Sequence, residues 1–206
     1  MRIIKQEFKV YEFSELSEDA QQNVIQWWLS SAEYPWYDEN KDALDWFTNV
    51  FDVDVSNYQY GFRAPSIDYS LNWSWDDLEN LQSLSGQRLA TYLWNNYRDQ
   101  LYSGKYYSTA GHYDENNKYH YRCRRSRIIL EIACPTGYCV SQNIISPLHE
   151  FMRHPRDITF EDLLYECLQE WVNVCSSDYE SYYSKDNARE SIEANGYEFH
   201  ENGDIC

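Results

Sequence analysis

The chain has 206 residues, with 34 acidic side chains against 17 Lys and Arg, and its formal net charge is −17. A surface this negative repels nucleic acid and anionic membrane, so we expect it to bind neither and to attract positively charged partners instead. Hydrophobic residues make up 43% of the chain, which excludes a disordered acidic tail, and no apolar run approaches the about 18 residues of a membrane span.

The first half of the sequence is predicted to contain both helices and strands. The predicted elements are, in chain order, a strand over 2–13, a helix from about 18 to 30, a helix over about 37–51, and a hairpin of strands at 52–62 and 67–73. Ser17 is placed to cap the first helix, because its hydroxyl can accept a hydrogen bond from an N–H of the first turn.

The second half is predicted to be mainly helical. Its elements are a short helix near 76–84, a helix near 86–102, a loop over 103–117, a strand over 119–133, and helices over 143–154, 158–183 and 186–195. Thr159 is the expected cap of the long helix, whose inner face is predicted to comprise Leu164, Leu168, Trp171, Val172 and Cys175. Asn195-Gly196 ends the last helix, and Asn202-Gly203 is the turn of a terminal hairpin.

These elements favour one α+β domain over residues 1–206, with an antiparallel sheet of about four to six strands covered on one side by helices. No repeat, low-complexity tract or long linker divides the chain. The N-terminus lacks the apolar stretch of a signal peptide, so we predict a cytoplasmic protein. In that compartment its six cysteines are expected to be free thiols.

The sequence lacks the usual motifs of enzymes and metal sites. It contains no G-x-G-x-x-G, P-loop or G-x-S-x-G motif. His149 and His154 are five residues apart, which does not place both imidazoles on one helix face, and no second pair completes a zinc site with Cys134 and Cys139. We therefore predict no catalytic residue, no metal, no cofactor and no enzymatic activity, and a hydrolase remains an unsupported alternative.

The negative charge is concentrated at the two ends of the chain. Residues 1–60 hold 12 acidic and 4 basic residues, a net charge of −8, and residues 157–206 hold 13 and 2, a net charge of −11. Residues 61–156 are near neutral at +2. Because many basic proteins of a cell bind nucleic acid, such ends suit a nucleic-acid-binding protein as partner.

Many of these carboxylates recur at helical spacing. Carboxylates one turn apart on a helix lie about 6 Å from each other, similar to phosphates along a DNA strand, so such a row can occupy the phosphate sites of a nucleic-acid-binding protein. For any one row, a solvated helix face is the simpler explanation. The predicted partner-binding carboxylates are Glu15, Glu18, Asp19, Asp38, Glu39, Asp42, Asp45, Asp162, Glu166, Glu170, Asp178 and Glu180.

Tyr179, Tyr182 and Tyr183 lie beside Asp178 and Glu180 in the sequence and complete the predicted site. A surface rich in tyrosine and carboxylate suits an arginine-rich partner, through ion pairs and cation–π contacts. The alternative is that these rings are partly buried and cap the core.

The one dense basic run extends from Lys118 to Arg127 and interleaves arginines with aromatic residues. Such a surface can bind single-stranded nucleic acid, but the net charge of the chain opposes this. Pairing with the acidic ends of the same chain is favoured. A contact with a partner or with a second copy is the alternative, so a homodimer stays open.

Two stretches resemble the ends of a group of small acidic bacteriophage and prophage proteins. They are FSELSEDA at 13–20, running into Trp27-Trp28, and IEANGYEF at 192–199, followed by Asn202-Gly203. The group has no defined activity, so the resemblance assigns no functional residue. It implies a phage or mobile-element origin, and small acidic phage proteins are often inhibitors of host defence, including anti-CRISPR and anti-restriction proteins.

Charge and resemblance together predict an inhibitor that binds the basic nucleic-acid groove of a host defence nuclease complex. The alternative is an antitoxin-like or adaptor protein, which would bind a basic host protein outside its nucleic-acid site.

Overall fold

The computed structural model describes residues 9–74, 80–106, 112–113, 115–116, 118–120 and 128–206. A short 3-10 helix lies at Phe13–Glu15. The α-helices are α1 (Glu18–Ser31), α2 (Tyr37–Phe51), α3 (Gly86–Leu101), α4 (Cys139–Ile144), α5 (Ser146–Arg153), α6 (Phe160–Tyr182) and α7 (Lys185–Asn195). The strands are β1 (Val53–Gln59), β2 (Ser66–Leu71), β3 (Tyr102–Tyr106), β4 (His112–Tyr113), β5 (Tyr119–His120) and β6 (Ile128–Ile132).

The strands pair in twos and antiparallel. β1 pairs with β2 as predicted, with a bulge between Val55 and Asn57, while β3 pairs with β6 and β4 with β5. The α+β class is therefore confirmed, but the predicted sheet of four to six strands is wrong for the described residues, whose sheets have two strands each. Alternation along a sequence identifies strands, but it does not report which edges meet.

Local sequence signals located the start of α1, the start of α6 and the end of α7 correctly. The hydroxyl of Ser17 accepts a hydrogen bond from the backbone N–H of Ala20 at 3.3 Å and caps α1. Thr159 accepts one from the N–H of Asp162 at 3.1 Å at the start of α6. Gly196, with φ of 62°, ends α7 in the left-handed conformation that glycine adopts without strain.

Other predicted elements differ from the structure or lie partly outside it. Of the strand predicted over 2–13, residues 9–13 contain only an isolated bridge from Tyr11 to Phe199 and the start of the 3-10 helix. The loop predicted over 103–117 begins as β3, because pairing with β6 supports a backbone whose polar, glycine-containing sequence has low strand propensity. The remainder of the 2–13 strand lies outside the described residues, as do parts of the predicted elements at 76–84 and 119–133.

The contacts divide the chain into two compact units. Unit 1 comprises Met1–Tyr37, Tyr60–Ala64 and Cys175–Cys206, and unit 2 comprises Asp38–Gln59 and Pro65–Val174. The single domain of the sequence analysis stays a prediction.

In unit 1 the core lies between α1, α7 and the chain terminus. Its buried residues are Phe13, Leu16, Ala20, Val24, Ile25, Trp28, Ala188, Ile192 and Phe199. The predicted terminal hairpin is present, since His200 N–H donates to the carbonyl of Asp204 at 2.8 Å and Phe199 bridges Ile205. Its turn packs so closely on α1 that a Cβ at Gly203 would lie 2.8 Å from the carbonyl oxygen of Ala20.

In unit 2 the buried side chains come mainly from α2, α3, α5 and α6. The predicted inner face of α6 is confirmed, because all five of its residues are buried, Cys175 of unit 1 among them. Cys167 is buried as well, which fits a packing role for both thiols. Within the part of the chain that the structure describes, no helix has the length and apolarity to cross a membrane.

Candidate protein-binding surface

The structure divides the twelve predicted partner-binding carboxylates into two groups. Four already serve local structure: Glu15 accepts a hydrogen bond from Glu12 N–H at 2.9 Å, Asp45 pairs with Lys41, Asp162 accepts one from the Thr159 hydroxyl at 2.7 Å, and Glu166 binds Arg156 through both oxygens. The row at the start of α6 is therefore largely satisfied within the fold, and it offers a partner less charge than its sequence indicates.

The other eight carboxylates make no hydrogen bond or ion pair within the described residues. They are Glu18, Asp19, Asp38, Glu39, Asp42, Glu170, Asp178 and Glu180. Asp38 and Asp42 are exposed one turn apart on α2, whereas Glu39 is half-buried. These eight remain candidates for contact with a positively charged partner.

The three predicted tyrosines belong to a larger aromatic cluster in unit 1. The ring centroid of Tyr179 lies 4.7 Å from that of Tyr183, 5.2 Å from Tyr34 and 5.4 Å from Phe62. Trp36 lies 5.6 Å from Tyr182. Tyr60 completes the cluster, 6.3 Å from Tyr179. We call this cluster the aromatic surface, defined as Tyr34, Trp36, Tyr60, Phe62, Tyr179, Tyr182 and Tyr183.

Helical spacing and two hydrogen bonds position the tyrosines of α6 and of the turn after it. Residues 179, 182 and 183 share one face, because positions three and four apart are neighbours on a helix. The hydroxyl of Tyr182 donates to the carbonyl of Glu33 at 2.9 Å, and that of Tyr183 donates to the carbonyl of Ala32 at 3.0 Å. The ends of both rings are therefore fixed to the segment that follows α1.

Gly61 allows the backbone before Phe62 to approach this cluster closely. Its N–H donates to the buried hydroxyl of Ser176 at 3.4 Å, and that hydroxyl donates to the Gly61 carbonyl at 3.2 Å. Its φ is +116°, and a Cβ there would lie 3.2 Å from ring carbons of Tyr179. A side chain at position 61 would strain the backbone and would also lie too close to the ring of Tyr179.

Replacing Gly61 with alanine is expected to lower the free energy of unfolding by about 2–3 kcal/mol, from positive-φ strain plus the contact with Tyr179. Gly196→Ala is the matched control, because φ is also positive there but a Cβ would have nothing within 4 Å. Its expected loss is about 1 kcal/mol. Urea unfolding followed by circular dichroism measures both, and equal losses would contradict a cost from the ring.

Two members of the aromatic surface are well exposed. Phe62 is 71% exposed and Trp36 is 46% exposed. Phe62 packs on Tyr179 and Trp36 packs on Tyr182, so both belong to one cluster of rings. A contiguous apolar patch at the surface of a protein commonly marks an interaction site. The acidic character of unit 1, which has 14 acidic and 6 basic residues, further suits a basic protein.

Sequence reasoning found only part of this surface. It identified the α6 tyrosines and the neighbouring acids, but it missed Tyr34, Trp36, Tyr60 and Phe62. The available signals were aromatic residues on both sides of Pro35 and of Gly61, where turns hold rings at the surface. In the basic run, residues 121–127 lie outside the described residues, so its pairing stays a prediction.

No metal centre is evident in the described ranges, where no group of three or more His, Cys, Asp or Glu side chains is arranged to hold an ion. Cys134 instead contacts the chain locally, its thiol 3.3 Å from the carbonyl of Tyr138.

Comparison with known proteins returned no matching family model, no matching curated protein and no matching solved structure. The resemblance to phage proteins therefore stays a prediction, and the function is argued from the surface of the chain.

Proposed function

We propose that the chain is a phage or mobile-element inhibitor that acts in the cytoplasm of the host cell. It binds the basic nucleic-acid groove of a defence nuclease complex, of the CRISPR or restriction type, and prevents nucleic acid from entering. It catalyses no reaction. The observation that supports this proposal best is the set of eight carboxylates without an ion pair in the described residues, on a chain of net charge −17.

The physical basis is competition for the same positive charges. A groove that binds nucleic acid is lined with Lys and Arg. These side chains attract the carboxylates of an acidic protein as they attract phosphates. Exposed acids such as Asp38 and Asp42, one turn apart on α2, approximate the spacing of successive phosphates. Because these charges are exposed, salt screens them, and binding weakens as ionic strength rises.

The test is capture of the partner from a bacterial lysate, with and without nuclease treatment, followed by a binding assay. The captured protein is titrated with labelled duplex DNA or RNA at about 0.05 M and about 0.5 M salt, with the inhibitor present. We expect competition at the lower salt and a loss of inhibition of at least about tenfold at the higher. Inhibition that is independent of salt would exclude mimicry by charge.

A pair of variants localises the effect. Asp38→Asn with Asp42→Asn removes two exposed charges from α2. Asp99→Asn with Asp157→Asn removes the same charge elsewhere, and Asp99 already pairs with Arg98 at 3.0 Å. The first pair is expected to weaken inhibition more than the second. A partner recovered with its nucleic acid still bound would favour the antitoxin-like or adaptor alternative.

A further inference from the structure

We infer that the aromatic surface of unit 1 binds arginine side chains of a basic protein partner, and that it prefers guanidinium to ammonium groups. This inference rests on the proposed function, because it specifies how the partner is held. The aromatic surface contains none of the α2 acids that are proposed to occupy phosphate sites.

Accessible aromatic rings are the first requirement for such binding, and the exposure of Phe62 and Trp36 meets it. Phe62 is 71% exposed and stands at 78° to Tyr179, while Trp36 is 46% exposed and stands at 79° to Tyr182. In an edge-to-face pair, at least one ring keeps both faces clear of the other. A flat cation gains most above such a face, and Trp is the best of the aromatic side chains for this.

Rigidity before binding is the second requirement, because ordering side chains on association opposes binding. The hydroxyls of Tyr182 and Tyr183 are bound to the carbonyls of Glu33 and Ala32. Trp36 and Tyr34 both contact Tyr182, with centroids 5.6 and 5.7 Å away. The rings are therefore already packed on one another, and little further ordering is needed when a partner arrives.

Negative charge beside the rings is the third requirement. Asp178 and Glu180 flank Tyr179, and Glu33 supplies the carbonyl that accepts the Tyr182 hydrogen bond. All three carboxylates are exposed, and none pairs with a base in the described ranges. Partial burial raises the pKa of Asp178 above its ordinary value, so a cation that neutralises it would relieve a desolvated charge. Arg63, next to Phe62, offsets only part of this charge.

This combination fits arginine better than lysine. A guanidinium group is planar and weakly hydrated, so its faces can stack on rings while its N–H groups donate to carboxylates. An ammonium group is compact and strongly hydrated, and it gains less from an exposed aromatic face. Nucleic acid, anionic lipid and a second copy of this chain are all negative, which disfavours them as occupants.

Fluorescence anisotropy with labelled nona-arginine and nona-lysine peptides tests the inference on the full chain. We expect the wild type to bind nona-arginine about fivefold more tightly than nona-lysine at physiological salt. Phe62→Ala and Trp36→Ala are each expected to weaken nona-arginine binding about fivefold, and Phe62→Tyr to preserve it. Circular dichroism verifies that each variant is folded.

Trp27→Ala is the matched control, because Trp27 is also in unit 1, is 39% exposed and lies outside the aromatic surface. It should bind nona-arginine as the wild type does. Equal affinity for the two peptides, or an equal loss in Trp27→Ala and Trp36→Ala, would overturn the inference.

The same variants separate this inference from the proposed function. If a nuclease partner is captured and inhibited equally by the wild type and by Phe62→Ala, the proposed function stands and the arginine site is overturned. If the peptides behave as expected but no nucleic-acid-binding protein is captured, the arginine site stands and the proposed inhibition fails.

Discussion

Replacing Trp171 with alanine is expected to lower the free energy of unfolding by about 3–5 kcal/mol, the largest effect anticipated for a single side chain here. The indole of Trp171 is fully buried in α6. Its Nε1–H donates to the carbonyl of Asn40 at 3.0 Å, and its ring meets Tyr58 edge to face at 5.1 Å. The variant loses apolar contacts, leaves a cavity, and removes the indole donor from a buried carbonyl.

Urea unfolding followed by far-ultraviolet circular dichroism measures this loss without relying on tryptophan fluorescence. Trp171→Phe retains most of the volume and removes only the N–H, so its expected loss is about 1–3 kcal/mol, and it remains measurable if the alanine variant does not fold. Trp36→Ala is the control, because that indole is 46% exposed, and its loss should stay below about 1 kcal/mol. A Trp171→Ala variant as stable as Trp36→Ala would refute this account of the core.

The second large effect concerns acid, and it depends on His149. Its imidazole is buried on α5, 4.6 Å from the ring of Tyr102, and its Nε2 has no hydrogen-bond partner among the described residues. Burial and, secondarily, the positive charge of Arg153 together lower the pKa of His149 from 6.5 to about 4, against a hydrogen bond with the Leu101 backbone that raises it. The folded protein therefore holds this histidine neutral at pH values where the unfolded chain protonates it.

The sign of the effect follows from this difference in proton binding. The free energy of unfolding keeps its full value, as far as His149 is concerned, above pH 6.5. It declines as pH falls toward 4, because His149 takes up a proton in the unfolded state before it does so in the folded state. At pH 5 the expected loss from this one group is about 2 kcal/mol relative to pH 7.5.

His149→Phe isolates this contribution, because it keeps a ring in contact with Tyr102 and does not titrate. The measured quantity is the difference in unfolding free energy between pH 7.5 and pH 5, which cancels any constant cost of the substitution. This difference should be about 2 kcal/mol smaller in His149→Phe than in the wild type. His154→Gln, at an exposed position five residues away, should keep the acid sensitivity of the wild type. Equal acid sensitivity in His149→Phe and the wild type would show that this histidine is not held neutral.

Helices were predictable from the sequence because their signals are local. Ser17, Thr159 and Gly196 act on hydrogen bonds within three or four residues of themselves, and the α6 stripe repeats at the helical period. The sheets were predicted less well. The β1–β2 hairpin pairs strands that are neighbours in the sequence, and it was predicted. The pairing of β3 with β6 places Tyr102 opposite Ile132, and the periodicity of a sequence does not indicate which distant strands pair.

The candidate site shows the same limit. Tyr179, Tyr182 and Tyr183 are neighbours on one helical face, so the sequence was enough to predict that they form one site with Asp178 and Glu180. Phe62 reaches Tyr179 across more than a hundred residues, and nothing in the pattern of either segment indicates that contact. A count of charges likewise could not show that Arg156 neutralises Glu166. The sequence gives the number of carboxylates in a row, but it does not show which of them have a basic partner.

The sequence by itself determined the net charge of −17, the acidic ends of the chain and the helices with defined caps. These depend on residue identity and on interactions between near neighbours in the chain. The tertiary structure alone decided that Arg156 binds Glu166 and that rings from segments distant from α6 complete the aromatic surface. Those properties depend on side chains distant in sequence that meet only when burial of the core brings their backbones together.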